Sequence, residues 1–364
     1  MSKAAELAAL IGSQTALSNR NMIINGAMQV AQRATSSTSF FYASVDRFQF
    51  SKNATDNLAM TQSQDSDNPA GQGFGSSFKV NITTAESALD ADENINFHQR
   101  IEGQNLQRLE KGTSNAKSST VSFWVKSNTT GTYVLELFDN DNSRHAAKTY
   151  TIDSANTWEK KIITFAGDTT GALDNDANRS LDVRWWLAAG SNFSSGTLPT
   201  GWASLTTANR AVGQVNLMAS TNNWYITGIQ WELGDVATAF EHRSFGDELA
   251  RCQRYYQQFE YVSGSAIAIG ATYSSSAGYA GFPFLKEMRA APSITLPTAG
   301  QSSGNATFIA SGNQFPSSTG TNTAARINKH SFTVEASGYS GLTTNAGSQY
   351  YSVGATTLKL DAEL

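Results

Sequence analysis

There is one cysteine, Cys252, in 364 residues. A lone thiol closes no intrachain disulfide, so the fold must be held by burial and hydrogen bonding. The matching expectation is synthesis in a reducing cytoplasm. Charge is scarce as well: charged residues make up 15% of the chain, and the net charge is −4. Such a chain has no basic field to draw phosphate, so nucleic acid is not expected as a partner. No apolar run approaches the ~18 residues of a membrane span, so membrane insertion is not expected either. The opening MSKAAELAALIGSQTALSNR carries Glu6 inside its apolar stretch, which argues against a signal peptide. Histidine is rare, with only His98, His145, His242 and His330, and none falls in an HExxH pattern. There is no G-x-S-x-G elbow, and no glycine-rich turn that would cradle phosphate. No catalytic residue, metal ligand or cofactor is therefore expected.

What fills the chain is Ser, Thr, Asn, Gln and Gly around alternating apolar runs. In TVSFWVKS, Val121, Phe123 and Val125 oppose Ser122 and Lys126. TYVLELF sets Tyr133, Leu135 and Leu137 against Glu136, and LDVRWWL sets Leu181, Val183, Trp185 and Leu187 against Asp182 and Arg184. Period-two patterns of this kind mark half-buried antiparallel strands. Turn-rich stretches such as DNDNSR and AAGSNFSSGTLPTG separate them. The pattern predicts a mainly β protein with a β-sandwich over 20–243. A smaller C-terminal β-domain is expected over 263–364. Strands are expected from NMIINGAMQV onward.

Two helical segments are expected. KAAELAALI predicts a short N-terminal helix, stopped by Gly12, within a docking segment 1–19. SFGDELARCQRYYQQF places Leu249, Cys252, Tyr256 and Phe259 at spacings of three, four and three. That predicts one connecting helix over 244–262 with a narrow apolar stripe for subunit contact. Ser244 and Asp247 have the spacing of an N-terminal capping pair.

Acidic groups bear on two chemistries. DNDNS from Asp139 and DNDAN from Asp174 start like calcium loops, but their sixth positions are Arg144 and Arg179 and their twelfth are Tyr150 and Trp185. The EF-hand pattern fails, leaving a looser calcium loop or a solvated turn. Glycoside hydrolysis needs two convergent carboxyls, and Glu102, Asp168, Glu232 and Glu241 are available without any pair being singled out. Aromatics remain. In WYITGIQWEL, strict alternation puts Tyr225, Ile229, Trp231 and Leu233 on one buried face. Trp186 falls on the polar face of its strand beside Arg184, as an exposed platform, with Phe193 and Trp202 in or next to the following loop. Trp186, Phe193 and Trp202 are the candidate ligand surface, with subunit contact as the competing use.

NRNMIINGAMQVAQR, DRFQF, QRIEGQNLQRLEKGTSNAKSSTVSFWVKS, NTWEKKIITFAGDTTG, WYITGIQWELGDVATAFEHRSFGDELARCQRYYQQF and LKLDAEL carry a family likeness. The chain resembles tail-fibre and other virion structural proteins of tailed bacteriophages, notably marine ones, best over about 20–260. The resemblance implies a jelly-roll sandwich similar to carbohydrate-binding modules, and a homotrimer. Its NGAM block stands where those modules have an NGxFE strand, but Met28 and Gln29 replace the carboxylate that often helps hold calcium there. What it implies is a non-enzymatic virion subunit, made in the host cytoplasm. It would meet other virion proteins through residues 1–19 and a host-surface glycan through its β-domains. A tailspike-like polysaccharide-degrading enzyme and a purely structural decoration or connector are the alternatives.

Overall fold

The computed structural model describes Lys3, residues 19–53, 57–300, 305–310, 313–314 and 320–364. The expected N-terminal helix lies, but for Lys3, outside the described residues. Two compact units divide the chain, the first running to Glu248 and the second from Leu249 to Glu363.

The first unit is a jelly-roll sandwich of twelve strands: β1 (Ser36–Ser37), β2 (Gln49–Asn53), β3 (Ala59–Asp65), β4 (Ser77–Thr84), β5 (Asn94–Glu102), β6 (Ser119–Ser127), β7 (Gly131–Asp139), β8 (Arg144–Ile152), β9 (Glu159–Phe165), β10 (Arg179–Ala189), β11 (Ala203–Ser204) and β12 (Asn223–Leu233). One antiparallel sheet has the order β1-β3-β4-β12-β6-β9, the other β11-β8-β7-β10-β5-β2. The chain passes repeatedly from one sheet to the other, so long-range burial, not local propensity, sets the fold. Between the sheets lies an aromatic core. The Phe97 ring centroid is 4.3 Å from Phe78, 4.8 Å from Phe48, 5.6 Å from Trp224 and 6.0 Å from Trp185. Phe97 and Trp185 come from one sheet and Phe78 and Trp224 from the other, so these rings join the two layers.

Three expectations need correction, two in this unit and one at the start of the second. NMIINGAMQV forms no regular strand; it is an irregular segment laid on β12, with Met22 donating to Trp231 O and Ile229 to Gly26 O. Strict alternation fails along β12, because a register shift separates Thr227 from Gln230. Gly228 sits inside it at φ 62°, the left-handed region that glycine enters without strain. Trp224, Ile226, Ile229 and Trp231 therefore point inward. Tyr225 lies on the outer face under Lys79 and Lys126, and Leu233 is exposed.

The stripe is the third correction. The helix is Phe245–Gln253, capped by Ser244 Oγ, which accepts from the Asp247 amide at 3.1 Å. Tyr256 begins a strand, β13 (Tyr256–Tyr261), which pairs with β22 (Thr356–Asp361) so that Phe259 opposes Leu358. Leu249 and Cys252 are thus helical, while Tyr256 and Phe259 belong to a sheet. The run of aromatics from Tyr255 to Tyr261 finds a cross-strand apolar partner, which outweighs the helical spacing.

The second unit holds β13, β22 and eight further strands: β14 (Ala266–Thr272), β15 (Gly278–Pro283), β16 (Ser293–Thr295), β17 (Ala306–Ala310), β18 (Asn313–Gln314), β19 (Thr321–Ala325), β20 (Ser331–Ser337) and β21 (Gly347–Ser352). They form a three-stranded sheet, β13-β22-β16, and a seven-stranded sheet, β18-β17-β21-β14-β15-β20-β19. Phe282, Phe308, Phe332, Val334, Tyr350, Leu358 and Leu360 make its core, with Phe259 packed against it.

Candidate functional site

Trp186 is placed against Phe193, and it is not exposed. The outer face of β10 and β7 carries Asp182, Arg184, Trp186 and Glu136. Parts of the β10–β12 connection, at Phe193, Leu198 and Arg210–Gln214, pack on it. Within that segment Ala211 donates to Phe193 O at 2.9 Å, and Phe193 meets Trp186 at 5.5 Å between centroids. The guanidinium groups of Arg184 and Arg210 stand 5.7 and 5.2 Å from the Trp186 ring. Trp186 is 1% exposed, so no face is left for a ligand. The apolar partners that cover it, Phe193, Leu198 and Ala211, come from a loop whose composition reads as solvent-facing.

Beneath that cover lies an ionic network. Arg210 donates to both oxygens of Glu136 at 2.8 Å, Trp186 Nε1 donates to Oε2 at 3.1 Å, and His145 Nδ1 is 3.2 Å from Oε1. Burial alone would raise the Glu136 pKa, but the Arg210 charge, the His145 hydrogen bond and Arg184 hold it down to about 2. Arg179 and Arg184 flank Asp182 in the same way. Burial and the nearby Arg184 charge push His98 well below its usual value. These groups are matched to one another, which makes this a structural network.

Trp202 sits elsewhere. Its indole nitrogen donates to Ala166 O at 2.9 Å, and it packs on the main core. A narrow slit of about 10 Å³ runs beside it, lined in part by Leu109, Lys117, Asp168 and Lys111. Lys111 also lines a depression of about 370 Å³, with Leu106, Gln107, Glu110, Thr113, Asn115, Ala172 and Leu173. That volume suits a sugar-sized ligand. The chain after β5 builds one wall through two 3-10 turns, Gly103–Asn105 and Gln107–Leu109. The β9–β10 connection supplies the other. They meet at Gly112, whose amide donates to Asp168 O at 2.8 Å. Its φ is +81°, and a Cβ there would stand 2.4 Å from the Ala172 amide nitrogen, so only glycine allows this approach.

The depression has a buried apolar floor, Leu106 and Leu173, and an exposed polar rim of Gln107, Glu110, Thr113 and Asn115. Glu110 is the one acid in this lining, and Lys117 Nζ lies 3.3 Å from it. The four acids weighed for hydrolysis are engaged separately. Arg144 and Lys111 hold Asp168, and Thr238 holds Glu232. The Asn19 and Asn21 amides donate to Glu241, and Gln104 donates to Glu102. Among the described residues, no group of three or more His, Cys, Asp or Glu side chains is placed to hold a metal ion. Sequence reasoning missed the depression altogether, because its residues carry no motif and come from two connections far apart in the chain.

No family model matches the sequence, and no curated protein matches it. Solved structures do. The enzymatically active domain of a tailspike protein of bacteriophage CBA120 is 14% identical, with a TM-score of 0.32. That match covers 59% of this chain but only 21% of the tailspike chain. A putative sugar-binding protein from Bacteroides thetaiotaomicron is 13% identical over 59% of this chain and 100% of its own, with a TM-score of 0.34. The family 11 carbohydrate-binding module of the Clostridium thermocellum cellulase Lic26A-Cel5E is 12% identical over 56% of this chain and 96% of its own, with a TM-score of 0.28.

Proposed function

We propose that this chain is a non-enzymatic subunit of a bacteriophage tail fibre or other virion appendage, a trimer that helps hold the particle to its host by binding surface glycan. The observation that carries glycan binding is the depression between residues 106–115 and 172–173. A sugar presents both apolar ring faces and hydroxyls, and an apolar floor ringed by neutral amides and a hydroxyl meets both. A single rim acid supports binding over hydrolysis, since cleavage needs two convergent carboxyls. The virion part of the reading rests on the sequence blocks that resemble phage appendage proteins. Weak sites suffice for attachment when a trimer presents them together, because effective concentration multiplies modest affinities.

The test is incubation with purified bacterial capsule or lipopolysaccharide. Retention of the protein without new reducing ends supports the proposal. New reducing ends would favour the tailspike-like enzyme, and no retention a purely structural decoration or connector. Light scattering tests the trimer, and a stable monomer at micromolar concentration contradicts it. Particles assembled with residues 1–19 deleted test docking through that segment; undiminished incorporation contradicts it.

A further inference from the structure

The two acidic stretches that start like calcium loops lie side by side, with the Asp174 amide donating to Asp141 Oδ2 at 3.0 Å. An ammonium group lies between the first of them and the β9–β10 connection that leads to the second. Lys111 Nζ lies 2.5 Å from Asp139 Oδ2, 3.0 Å from Asp168 Oδ2, 3.0 Å from Thr170 O and 2.8 Å from Gly171 O. The side chains of Lys111, Asp139 and Asp168 are 3%, 0% and 4% exposed. Its three protons serve Asp139 Oδ2 and the two carbonyls, and Asp168 Oδ2 completes a set of four oxygens as an ion-pair partner. Oxygen-only sets that mix carboxylate with backbone carbonyl are what a hard divalent cation takes.

The rest of the site holds these oxygens in place. Asn142 donates its amide to Asp139 Oδ1 at 3.0 Å and its side-chain nitrogen to Ala172 O at 2.9 Å. Arg144 donates to both oxygens of Asp168, at 2.8 and 3.0 Å, and the Thr170 amide reaches Oδ1 at 3.1 Å. Two carboxylates face two cations, so the cage is neutral with the lysine in place.

We infer that Lys111 is a built-in structural cation, filling a cage that takes a hard, oxygen-seeking divalent ion such as calcium once the ammonium is removed. The ammonium joins the end of β7, the β9–β10 connection and the segment after β5. Those loops are thereby organised with no exchangeable metal, and the depression they frame depends on this one side chain.

The full-length Lys111→Ala protein tests this by thermal unfolding in chelator and in excess calcium, beside the wild type. The expected result is a lower melting temperature in chelator, a calcium-dependent recovery, and no calcium response in the wild type. Terbium gives a second readout. Lys111 Nζ is 5.1 Å from the Trp202 ring centroid, so an ion bound in the cage is sensitised by that indole. Terbium emission excited through tryptophan should appear in Lys111→Ala, stay absent in the wild type, and fall in Lys111→Ala/Trp202→Phe. Lys111→Gln, which keeps donors for the two carbonyls, is titrated alongside in case the alanine variant does not fold. Folded variants with neither calcium recovery nor emission above the wild type overturn the inference. So does failure of both variants to fold in excess calcium, since the ion then does not replace the ammonium.

Discussion

Trp186 and Glu136 meet at 3.1 Å, indole nitrogen to carboxylate, on the face of the sheet turned away from the core. The carboxylate also carries both hydrogen bonds from Arg210. Glu136 is therefore one of the points, with the Val134 amide donating to Gln214 Oε1, at which the connection after β10 is fastened beside Trp186.

Replacing Glu136 by Gln leaves Arg184 and Arg210 facing a neutral amide in a buried site. Removing one partner from a buried ion pair costs about 3–5 kcal/mol, and that loss is expected in urea unfolding. Adding Arg210→Met to Glu136→Gln should recover part of it. An effect under about 1 kcal/mol, typical of exposed ion pairs, would mean that the network does not hold the segment down.

Acid should unfold this protein in a defined order. Folding depresses His98 from 6.5, so its contribution is intact above about pH 6.5 and declines as the pH falls below that value. Glu136 is depressed from 4.5 to about 2, so its share, about 3 kcal/mol at 1.36 kcal/mol per unit, is present above pH 4.5 and lost between 4.5 and about 2. Asp168 and Asp182 are lowered too and act in the same direction. Urea midpoints measured from pH 7 to pH 3 should fall throughout, and Glu136→Gln should flatten the lower part of the curve. Stability rising toward pH 4 would contradict the assignment.

At Gly228, φ is 62° and a new Cβ would lie 2.6 Å from the Phe74 ring. Gly228→Ala is expected to destabilise by about 1–3 kcal/mol through strain and displacement of that ring. Unchanged stability would show that the shift in β12 does not require glycine.

The sandwich could be read from the sequence where the two faces of a strand differ in polarity. β6, β7 and β10 alternate because one face of each packs in the aromatic core while the other carries polar groups, although that outer face is itself covered on β7 and β10. The reading failed where a single residue resets the phase, as Gly228 does for Tyr225, and at the strand end, where Leu233 keeps the inward phase but is exposed. It failed again where two periods fit one string. Leu249, Cys252, Tyr256 and Phe259 match a helix, yet the last two gain more from pairing with β22. The burial of Trp186 was hidden because its cover, with Phe193 and Ala211, is an irregular segment without periodicity. Nothing local marks Lys111 or the depression beside it, since both are made by connections that only the tertiary fold brings together.

Glycan binding at the depression is tested most directly by titrating bacterial surface polysaccharides against the wild type and Asn115→Trp in parallel. Asn115 is an exposed rim residue, so the indole should fill the depression without disturbing the fold. The predicted result is saturable binding by the wild type, weakened at least about tenfold in the variant, equivalent to about 1.4 kcal/mol, with unchanged melting temperature. Equal affinity in the two proteins, or no binding by the wild type to any polysaccharide in the panel, would contradict it.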